Sequence, residues 1–216
     1  MHKTIKTQLT TMRKIKNIFL RHPKKDRVDI KDFEFDENKD PLKDIQDKYS
    51  FNGDLLDLFI NNKGLVVHKW HHYIPIYEKY FSKFRNTKVR FLEIGVCKGG
   101  SIEMWRKYLG DEATIYGIDI NEECRNFDGH SGSIRIGSQT DLSFLDGVIE
   151  EMQGVDIILD DGSHKMHDIE TTLQNLFPKL SNGGLYVIED LHTAYWQNWG
   201  GGINSKNNFF NTIRKL

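Results

Sequence analysis

Apolar and polar residues follow one another in blocks along most of this chain, and the blocks predict alternating strands and helices. Short apolar runs bounded by glycine or polar residues are typical of strands buried on both faces of a parallel sheet. Strands are predicted at 89–96, 114–120, 133–137, 155–160 and 184–190, and helices between them at 101–109, 142–152 and 167–180. This alternation predicts an α/β fold, a doubly wound, Rossmann-like parallel sheet with helices on both faces.

Two more helices are predicted ahead of the first strand, one starting at Gly53 and one from about His72 to Phe84. Upstream of them the pattern changes. Residues 1–25 contain many Lys and Arg and no acid, with apolar residues three or four apart, which is typical of a basic amphipathic helix. Such a helix could touch an anionic membrane surface or a partner. A mobile tail and a helix packed on its own domain are the alternatives.

A change of composition divides the chain. Residues 26–50 turn acidic and contain Pro41, which indicates a solvated linker or an irregular lead-in. We therefore expect an N-terminal extension at 1–50 and a single domain at 51–216.

Charge and cysteine content narrow the class of protein. The 216 residues include 30 Lys and Arg against 31 Asp and Glu, a formal net charge of −1. No basic field favours nucleic acid as a partner. Two cysteines make no disulfide framework, which fits a reducing compartment, and no apolar run approaches the roughly 18 residues that span a bilayer. Since no signal-peptide core is visible either, we expect a cytoplasmic protein without a transmembrane segment.

Acidic residues end two of the predicted strands. The segment VDIILDDGSH contains Asp160 and Asp161, with His164 just beyond them, and GLYVIEDLHTAY contains Glu189 and Asp190. In open α/β sheets, ligands bind in the crevice beyond the carboxyl ends of the strands. Carboxylates crowded into one crevice repel each other unless a positive charge lies between them. The pattern therefore predicts a metal ion at this edge.

Other interpretations of these residues stay open. The first acidic segment could be a turn in which Ser163 caps a helix, and the second a surface loop. Asp160 could hydrogen-bond backbone or face a cofactor, so it is left out of the predicted metal set. A competing motif is His68-x-x-x-His72, which on a helix would place two imidazoles on one face and could bind zinc.

A glycine-rich turn follows the first predicted strand. FLEIGVCKGGS places Gly95, Gly99 and Gly100 ahead of a helix opened by Ser101, whose N-terminus offers free N–H groups. Asp119 ends the second strand, where its carboxylate could accept hydrogen bonds from both ribose hydroxyls. Since the dinucleotide fingerprint G-x-G-x-x-G and a phosphate-binding GK[ST] loop are both absent, a nucleoside fits better than a pyrophosphate. A tight turn with a helix-capping Asp is the structural alternative.

In these segments the chain resembles the class I S-adenosylmethionine-dependent methyltransferases. In that family the E-x-G-x-x-x-G loop lies under the methionine part of the cofactor and the acid after the second strand binds its ribose. Glu93, Gly95, Gly99 and Asp119 match those positions. The segments GSQTDLSFL, LDDGSH and GLYVIEDLHTAYW are further similar to the metal-dependent sugar O-methyltransferases of macrolide biosynthesis, the mycinamicin type. The resemblance covers roughly residues 65–202.

The resemblance implies a role for each acid of the cluster. It implies that Asp161, Glu189 and Asp190 ligate Mg²⁺ and that His164 is the general base. Such a site suits the chemistry, because a hard cation polarises a sugar hydroxyl and a neutral imidazole removes its proton. His192 is a candidate supporting group.

The resemblance also implies the cofactor site. Gln139 and Asp141 would lie near the adenine end of S-adenosylmethionine. Tyr73, in a segment that borders the cofactor pocket in the family, and Ser101, at the helix N-terminus, complete the expected cofactor residues. Lys69 lies in the same bordering segment as Tyr73.

An aromatic stretch follows the second acidic strand end. Tyr195, Trp196 and Trp199 precede three consecutive glycines. The stretch could close over a sugar, with rings on the sugar's apolar face and glycines as hinges. It could equally be a surface loop with buried tryptophans.

The chain departs from the family after the fifth strand. Class I methyltransferases continue with a helix and an antiparallel strand pair, and here no such pair is visible before Leu216. An open sheet edge invites association, so we expect a homo-oligomer or weak solubility.

Three hypotheses about function follow. The leading one is a Mg²⁺-dependent O-methyltransferase that moves a methyl group from S-adenosylmethionine to a hydroxyl of a sugar or glycosylated small molecule. The second is a degenerate, non-catalytic binding module of the same fold. The third is a metal-dependent hydroxylase, whose mark would be two His and one carboxylate on the metal.

Overall fold

The computed structural model describes residues 40–214, and its centre is one sheet of five parallel strands. Their order across the sheet is β3-β2-β1-β4-β5. The strands are β1 Arg90–Ile94, β2 Thr114–Asp119, β3 Ser133–Ile136, β4 Val155–Asp160 and β5 Leu180–Ile188. All four pairings are parallel. The predicted doubly wound sheet is confirmed.

Seven α-helices lie in the described part of the chain, and most of them follow the predicted segments. They are α1 Pro41–Tyr49, α2 Asp54–Ile60, α3 Tyr73–Phe81, α4 Gly100–Leu109, α5 Leu142–Glu151, α6 Met166–Leu176 and α7 Phe209–Ile213. Short 3₁₀ turns extend α3 and α6 and fill the connections after β2 and β5. None of these helices is both long and apolar enough to cross a bilayer.

Each face of the sheet buries its own hydrophobic cluster. On one face, side chains of α2, α3 and α4 pack with β1 around the rings of Tyr77, Phe81 and Trp105. On the other face, α5 packs its apolar stripe, including Leu145 and Val148, against strand residues. Helices therefore cover both faces, as the alternation of strands and helices predicts.

The segment ahead of α2 differs from its prediction. Residues 41–49 form helix α1 instead of a linker, because Asp40 caps the first turn and Pro41 occupies its first position. Ile45 of this helix is fully buried in the core, and the compact unit that holds the sheet begins at Asp40. The predicted basic helix within residues 1–25 lies outside the described residues.

The far edge of the sheet matches the expected departure. Within residues 40–214, no antiparallel strand pairs with the sheet. After β5 the chain continues as 3₁₀ turns and α7, whose Phe209 is buried. Oligomer formation through this edge stays a prediction.

The switch point of the sheet lies between β1 and β4, and backbone bonds align the residues that follow the strands there. The N–H of Asp161 donates to the carbonyl of Ile94 (2.9 Å), and the N–H of Glu189 donates to the carbonyl of Asp160 (2.9 Å). Gly95 donates likewise to Ile118 (2.8 Å). The ladder therefore sets the glycine loop and both acidic strand ends side by side.

At the opposite end of the sheet, Asp156 offers a test of pH-dependent stability. Arg90 grips its carboxylate with two nitrogens (2.9 and 2.7 Å) and a backbone N–H (2.8 Å). These bonds lower the pKa of Asp156 to about 2 from 3.8. Because the folded-state pKa lies below the unfolded one, the stabilisation is complete at neutral pH and is lost as pH falls from about 4 to about 2.

We expect Asp156→Asn to lower the free energy of unfolding by roughly 1–2 kcal/mol at pH 7, a value reduced by solvent screening of this partly exposed pair. The difference from wild type should shrink as pH falls toward 3. Urea denaturation at pH 7, 4 and 3 measures it, with Asp111→Asn in an exposed turn as the matched control. A deficit of the same size at every pH would contradict the assignment.

Candidate active site

Two residues beside the acidic strand ends have strained backbone. His164 and Asp190 both adopt left-handed conformations, each with φ of 55°. The Thr193 hydroxyl oxygen lies 3.0 Å from the carbonyl oxygen of His164 and 2.9 Å from that of Asp190, so its single O–H is shared between them and ties the two loops together. Residues held in this region cost free energy that surrounding contacts must offset, and they cluster at functional sites.

A lysine occupies the space between two of the predicted metal ligands. Lys69 Nζ lies 2.6 Å from Asp161 Oδ2, 2.6 Å from Glu189 Oε1 and 3.4 Å from Glu93 Oε1. Its side chain is only 2% exposed. Here the repulsion between strand ends is relieved by an ammonium, whereas the sequence predicted a metal ion between these acids.

Burial and neighbouring charges shift the pKa values of the side chains in this cluster. Burial acts to raise the pKa of Glu189, and the nearby ammonium of Lys69 acts to lower it. Burial likewise raises the pKa of Glu93, which is fully enclosed. Burial acts to lower the pKa of Lys69, but Glu93, Glu189 and Asp161 together hold it above its ordinary value. Lys69 is therefore a fixed positive charge.

Hydrogen-bond donors from the segment before β1 hold further carboxylate oxygens. The Tyr77 hydroxyl donates to Oε1 of Glu189, the same oxygen that Lys69 contacts. Trp70 Nε1 (2.8 Å) and the Tyr73 hydroxyl (3.0 Å) both donate to Asp190 Oδ1.

Three side chains turn ligand atoms toward one another. His164 Nε2 lies 3.6 Å from Asp161 Oδ1 and 3.8 Å from Asp190 Oδ2. One ligand atom from each of these residues lies within 4.8 Å of the other two, which is the spacing of a candidate cation site. Two members, Asp161 and Asp190, belong to the predicted metal set. The third predicted ligand, Glu189, turns Oε1 toward Lys69, and its role as a ligand stays a prediction.

Asp160 hydrogen-bonds inside the fold, one of the two roles considered for it. Its Oδ1 accepts from the Gly162 N–H (3.3 Å) and from Gln139 Nε2 (3.3 Å). The carboxylate is 1% exposed, and burial raises its pKa to about 7. Leaving Asp160 out of the metal set is consistent with this position.

The residues that follow β4 and β5, Asp161, Glu189 and Asp190, form what we call the acidic edge. The glycine loop passes close to it. Gly95 has φ of 97° and Gly99 has φ of 76°, both in the left-handed region. A Cβ at Gly95 would overlap the carbonyl oxygen of Asp161. Ser101, at the start of α4, donates from its hydroxyl to Glu93 Oε2 (2.7 Å). The hydrogen bond between Ser101 and Glu93 therefore connects the start of α4 to β1 beneath this loop.

The other predicted cofactor residues lie around the same edge. Asp119 accepts from the N–H groups of Cys97 (2.9 Å) and Asn121 (2.8 Å), so it fixes the loop. Gln139 is buried and accepts from the Ser163 N–H (2.7 Å). Asp141 caps α5 through the Phe144 N–H (3.1 Å). Binding of a cofactor by these residues and by Tyr73 stays a prediction.

The alternative zinc motif is not supported by its geometry. Residues 68–72 precede α3, which begins at Tyr73, so His68 and His72 do not share a helix face. Among the described residues, the grouping that could hold a metal ion is Asp161, His164 and Asp190. The same grouping has one His and two carboxylates, so it lacks the hydroxylase pattern.

Aromatic rings form an arc around the acidic edge. Neighbouring centroids along it are 6.3 Å apart for Trp70 and His192, 4.7 Å for His192 and Trp196, 6.5 Å for Trp196 and Trp199, and 6.1 Å for Trp199 and His164. The sequence placed the two later tryptophans near the metal motif, but it gave no signal for Trp70. His192 Nδ1 is 4.0 Å from Asp190 Oδ1.

We expect Gly95→Ala to weaken binding of S-adenosylhomocysteine at least ~10-fold, since an alanine in this conformation costs on the order of 1 kcal/mol or more and its methyl group meets the Asp161 carbonyl. Titration calorimetry measures it. Gly147→Ala in α5, where a Cβ meets nothing, is the matched control. Wild-type affinity in a well-folded Gly95→Ala protein would contradict the expectation.

Comparisons with known proteins relate this chain to methyltransferases. Residues 92–191 match a family model described as a methyltransferase domain. The chain is 40% identical over 144 residues to 8-demethyl-8-(2-methoxy-alpha-L-rhamnosyl)-tetracenomycin-C 3'-O-methyltransferase of Streptomyces olivaceus, covering 63% of this chain and 36% of that protein. It is also 40% identical over 142 residues to mycinamicin VI 2''-O-methyltransferase of Micromonospora griseorubida, covering 61% and 34%.

Solved structures show the same architecture. The methyltransferase MycE of the mycinamycin pathway, in complex with Mg, SAH and mycinamycin VI, aligns with a TM-score of 0.64 at 31% identity. The alignment covers 82% of this chain and 45% of that one. The chain thus spans roughly a third of the length of the curated relatives and about half of this structural one.

Proposed function

We propose that this chain carries a class I S-adenosylmethionine-dependent methyltransferase domain that resembles the macrolide-sugar O-methyltransferases. Its proposed reaction is the Mg²⁺-dependent methylation of a hydroxyl of a sugar or glycosylated small molecule. The observation that carries the proposal is the convergence of Asp161 Oδ1, Asp190 Oδ2 and His164 Nε2 beside the glycine loop. Of the relatives named above, one is by its name a 3'-O-methyltransferase of a rhamnosyl-tetracenomycin, and the other is a 2''-O-methyltransferase of mycinamicin VI.

The glycine loop fits S-adenosylmethionine. Gly95 and Gly99 adopt left-handed conformations that let the loop turn tightly against Asp161 and Phe127, and α4 starts directly after them with N–H groups that have no partner within the helix. Each Asp119 oxygen accepts one backbone N–H and can accept a further hydrogen bond from a ribose hydroxyl. The bound cofactor would supply an electrophilic methyl group on a sulfonium.

The acidic edge fits a hard divalent cation. Mg²⁺ prefers oxygen ligands and keeps several positions for water or substrate. Asp161 and Asp190 would each offer one oxygen, and Glu189 Oε2, which receives neither the Lys69 nor the Tyr77 bond, would be the third. The bound cation would lower the pKa of an acceptor hydroxyl and orient it.

His164 would act as the general base. Its Nε2 faces the same space as the two carboxylates, at 3.6 and 3.8 Å, and is only partly exposed. A neutral imidazole there can accept the proton of the acceptor hydroxyl as the oxygen attacks the methyl carbon. Asp161 and Asp190 would stabilise the imidazolium that results.

The aromatic arc would hold the acceptor sugar. Trp199 lies beside His164, and Trp196 and Trp70 extend the wall of rings along the acidic edge. Sugars present apolar C–H faces to such rings while their hydroxyls reach polar groups. A glycosylated acceptor suits this mixture of aromatic wall and carboxylates.

The direct test uses the full chain with methyl-labelled S-adenosylmethionine and a panel of rhamnosides and other glycosides. We expect label transfer that requires Mg²⁺ and stops with a chelator. Transfer that persists in excess chelator would overturn the metal-dependent mechanism, and no transfer to any glycoside would count against the acceptor class.

One observation favours the second candidate, a non-catalytic binding module. Lys69 already compensates the charge of Asp161 and Glu189 without an ion. A module of this kind would bind S-adenosylhomocysteine in calorimetry but show no Mg²⁺-dependent binding and no methyl release. The convergence on His164 has no purpose in that case, which is why the enzyme is the preferred proposal.

A further inference from the structure

The segment before β1 places four hydrogen-bond donors against the acidic edge. We name Lys69, Trp70, Tyr73 and Tyr77 the donor clamp. Each member donates to a carboxylate that follows β4 or β5, and Lys69 donates to two of them, Asp161 and Glu189.

The clamp divides the two oxygens of each carboxylate. Lys69 takes Asp161 Oδ2, and Asp161 Oδ1 is the oxygen that faces His164. Trp70 and Tyr73 take Asp190 Oδ1, and Asp190 Oδ2 is the oxygen that faces His164. The inner oxygens are thus held by protein donors, and the outer oxygens converge on one point.

Tyr73 holds Asp190 in a second way. Its hydroxyl also accepts the backbone N–H of Asp190 (2.9 Å), whose residue sits at φ of 55°. One hydroxyl therefore fixes both the strained backbone and the carboxylate rotamer of this residue.

We infer that the donor clamp, and Tyr73 in particular, pre-organises the cation site by aiming the outer oxygens of Asp161 and Asp190 at a shared ion; this rests on the proposed function. Carboxylates that are free to rotate lose affinity, because ordering them costs free energy on binding. Partners of this kind behind metal ligands typically contribute 10- to 100-fold in metal affinity. Tyr73, Trp70 and Lys69 are positioning residues in this account, since they act through the acids.

The test measures Mn²⁺ binding to the cofactor-free full chain by electron paramagnetic resonance, so activity is not the readout. We expect Tyr73→Phe to weaken Mn²⁺ binding ~10- to 100-fold. Tyr80→Phe removes a hydroxyl from the exposed face of the same helix and is the matched control, with unchanged affinity. Lys69→Met is unsuitable as the main variant, because it strands buried Glu93 and Glu189 without their ammonium.

A double-mutant cycle separates positioning from general loosening. If Tyr73 acts through Asp190, then Tyr73→Phe should change Mn²⁺ affinity by less than about twofold in an Asp190→Asn background. A similar loss in both backgrounds would show a merely structural effect and overturn the inference. Trp70→Phe, which removes the other donor to Asp190 Oδ1, provides a second variant should Tyr73→Phe lower the melting temperature.

The remaining outcomes distinguish the clamp from the proposed function. Wild-type affinity in Tyr73→Phe, with Asp161→Asn impaired, overturns the clamp and leaves the cation site intact. If the wild-type protein binds no Mn²⁺, or if wild type and Asp161→Asn bind it equally well, then both the proposed cation site and the donor clamp are wrong.

Discussion

Asp161→Asn is expected to reduce methyl transfer at least ~10³-fold while S-adenosylhomocysteine binds within about threefold of wild type. The substitution keeps the size of the side chain and removes the negative charge that faces His164 at 3.6 Å. Its backbone, which lies against Gly95, is unchanged, so the cofactor loop should keep its shape. Initial rates with saturating Mg²⁺, together with calorimetry, measure both quantities.

The control for this variant is an acid remote from the site. Asp146 lies on α5 and forms an exposed ion pair with Lys179. Asp146→Asn removes the same charge without changing the acidic edge and should keep full activity. Full activity of Asp161→Asn would show that this carboxylate is not needed. Parallel loss of cofactor binding would instead place Asp161 in the loop's support.

His164→Asn is expected to lower the turnover number by roughly 10²- to 10⁴-fold, the usual contribution of a general base. Asparagine tolerates the left-handed backbone of this position, with φ of 55°, so the loop between β4 and α6 should persist. Because the defect is a missing proton acceptor, added imidazole should restore part of the rate. Steady-state rates with and without imidazole measure this.

His167→Asn is the matched control for the base. It lies three residues further on, with its side chain 83% exposed, and should leave the rate unchanged. A His164→Asn enzyme that keeps its turnover number would assign proton removal to another group. A loss that imidazole does not relieve, in a protein with altered thermal stability, would indicate a structural role for the ring.

Local pattern carried most of the information about the sheet. All five strands and the helices between them were predicted within a few residues, because buried parallel strands are continuous apolar runs that glycine and acids interrupt sharply. The segment 41–49 was missed, since its acids and Pro41 are equally typical of a linker and of a capped first turn. Burial of Ile45 in the core cluster that also contains Leu55 and Leu56 is a tertiary feature that no local pattern displays.

The candidate site shows the same division. Acids at the ends of β4 and β5 had to meet, because parallel strands in register bring their carboxyl ends to one edge. The sequence contained Lys69 and Tyr73 only as part of a bordering segment. It held no sign that Lys69 would lie 2.6 Å from both Asp161 and Glu189, more than ninety residues away.

The sequence by itself therefore determined the order of elements, the glycine turn and the meeting of the acids, since each follows from periodicity and strand direction. Only the tertiary structure decided which carboxylate oxygens face Lys69 and Tyr73 and which face His164. The physical reason is that strand register sets backbone positions, whereas the rotation of a carboxylate depends on the donors that distant segments place around it. Those donors come from the segment before β1. The packing of α3 in the core cluster positions this segment next to the acids.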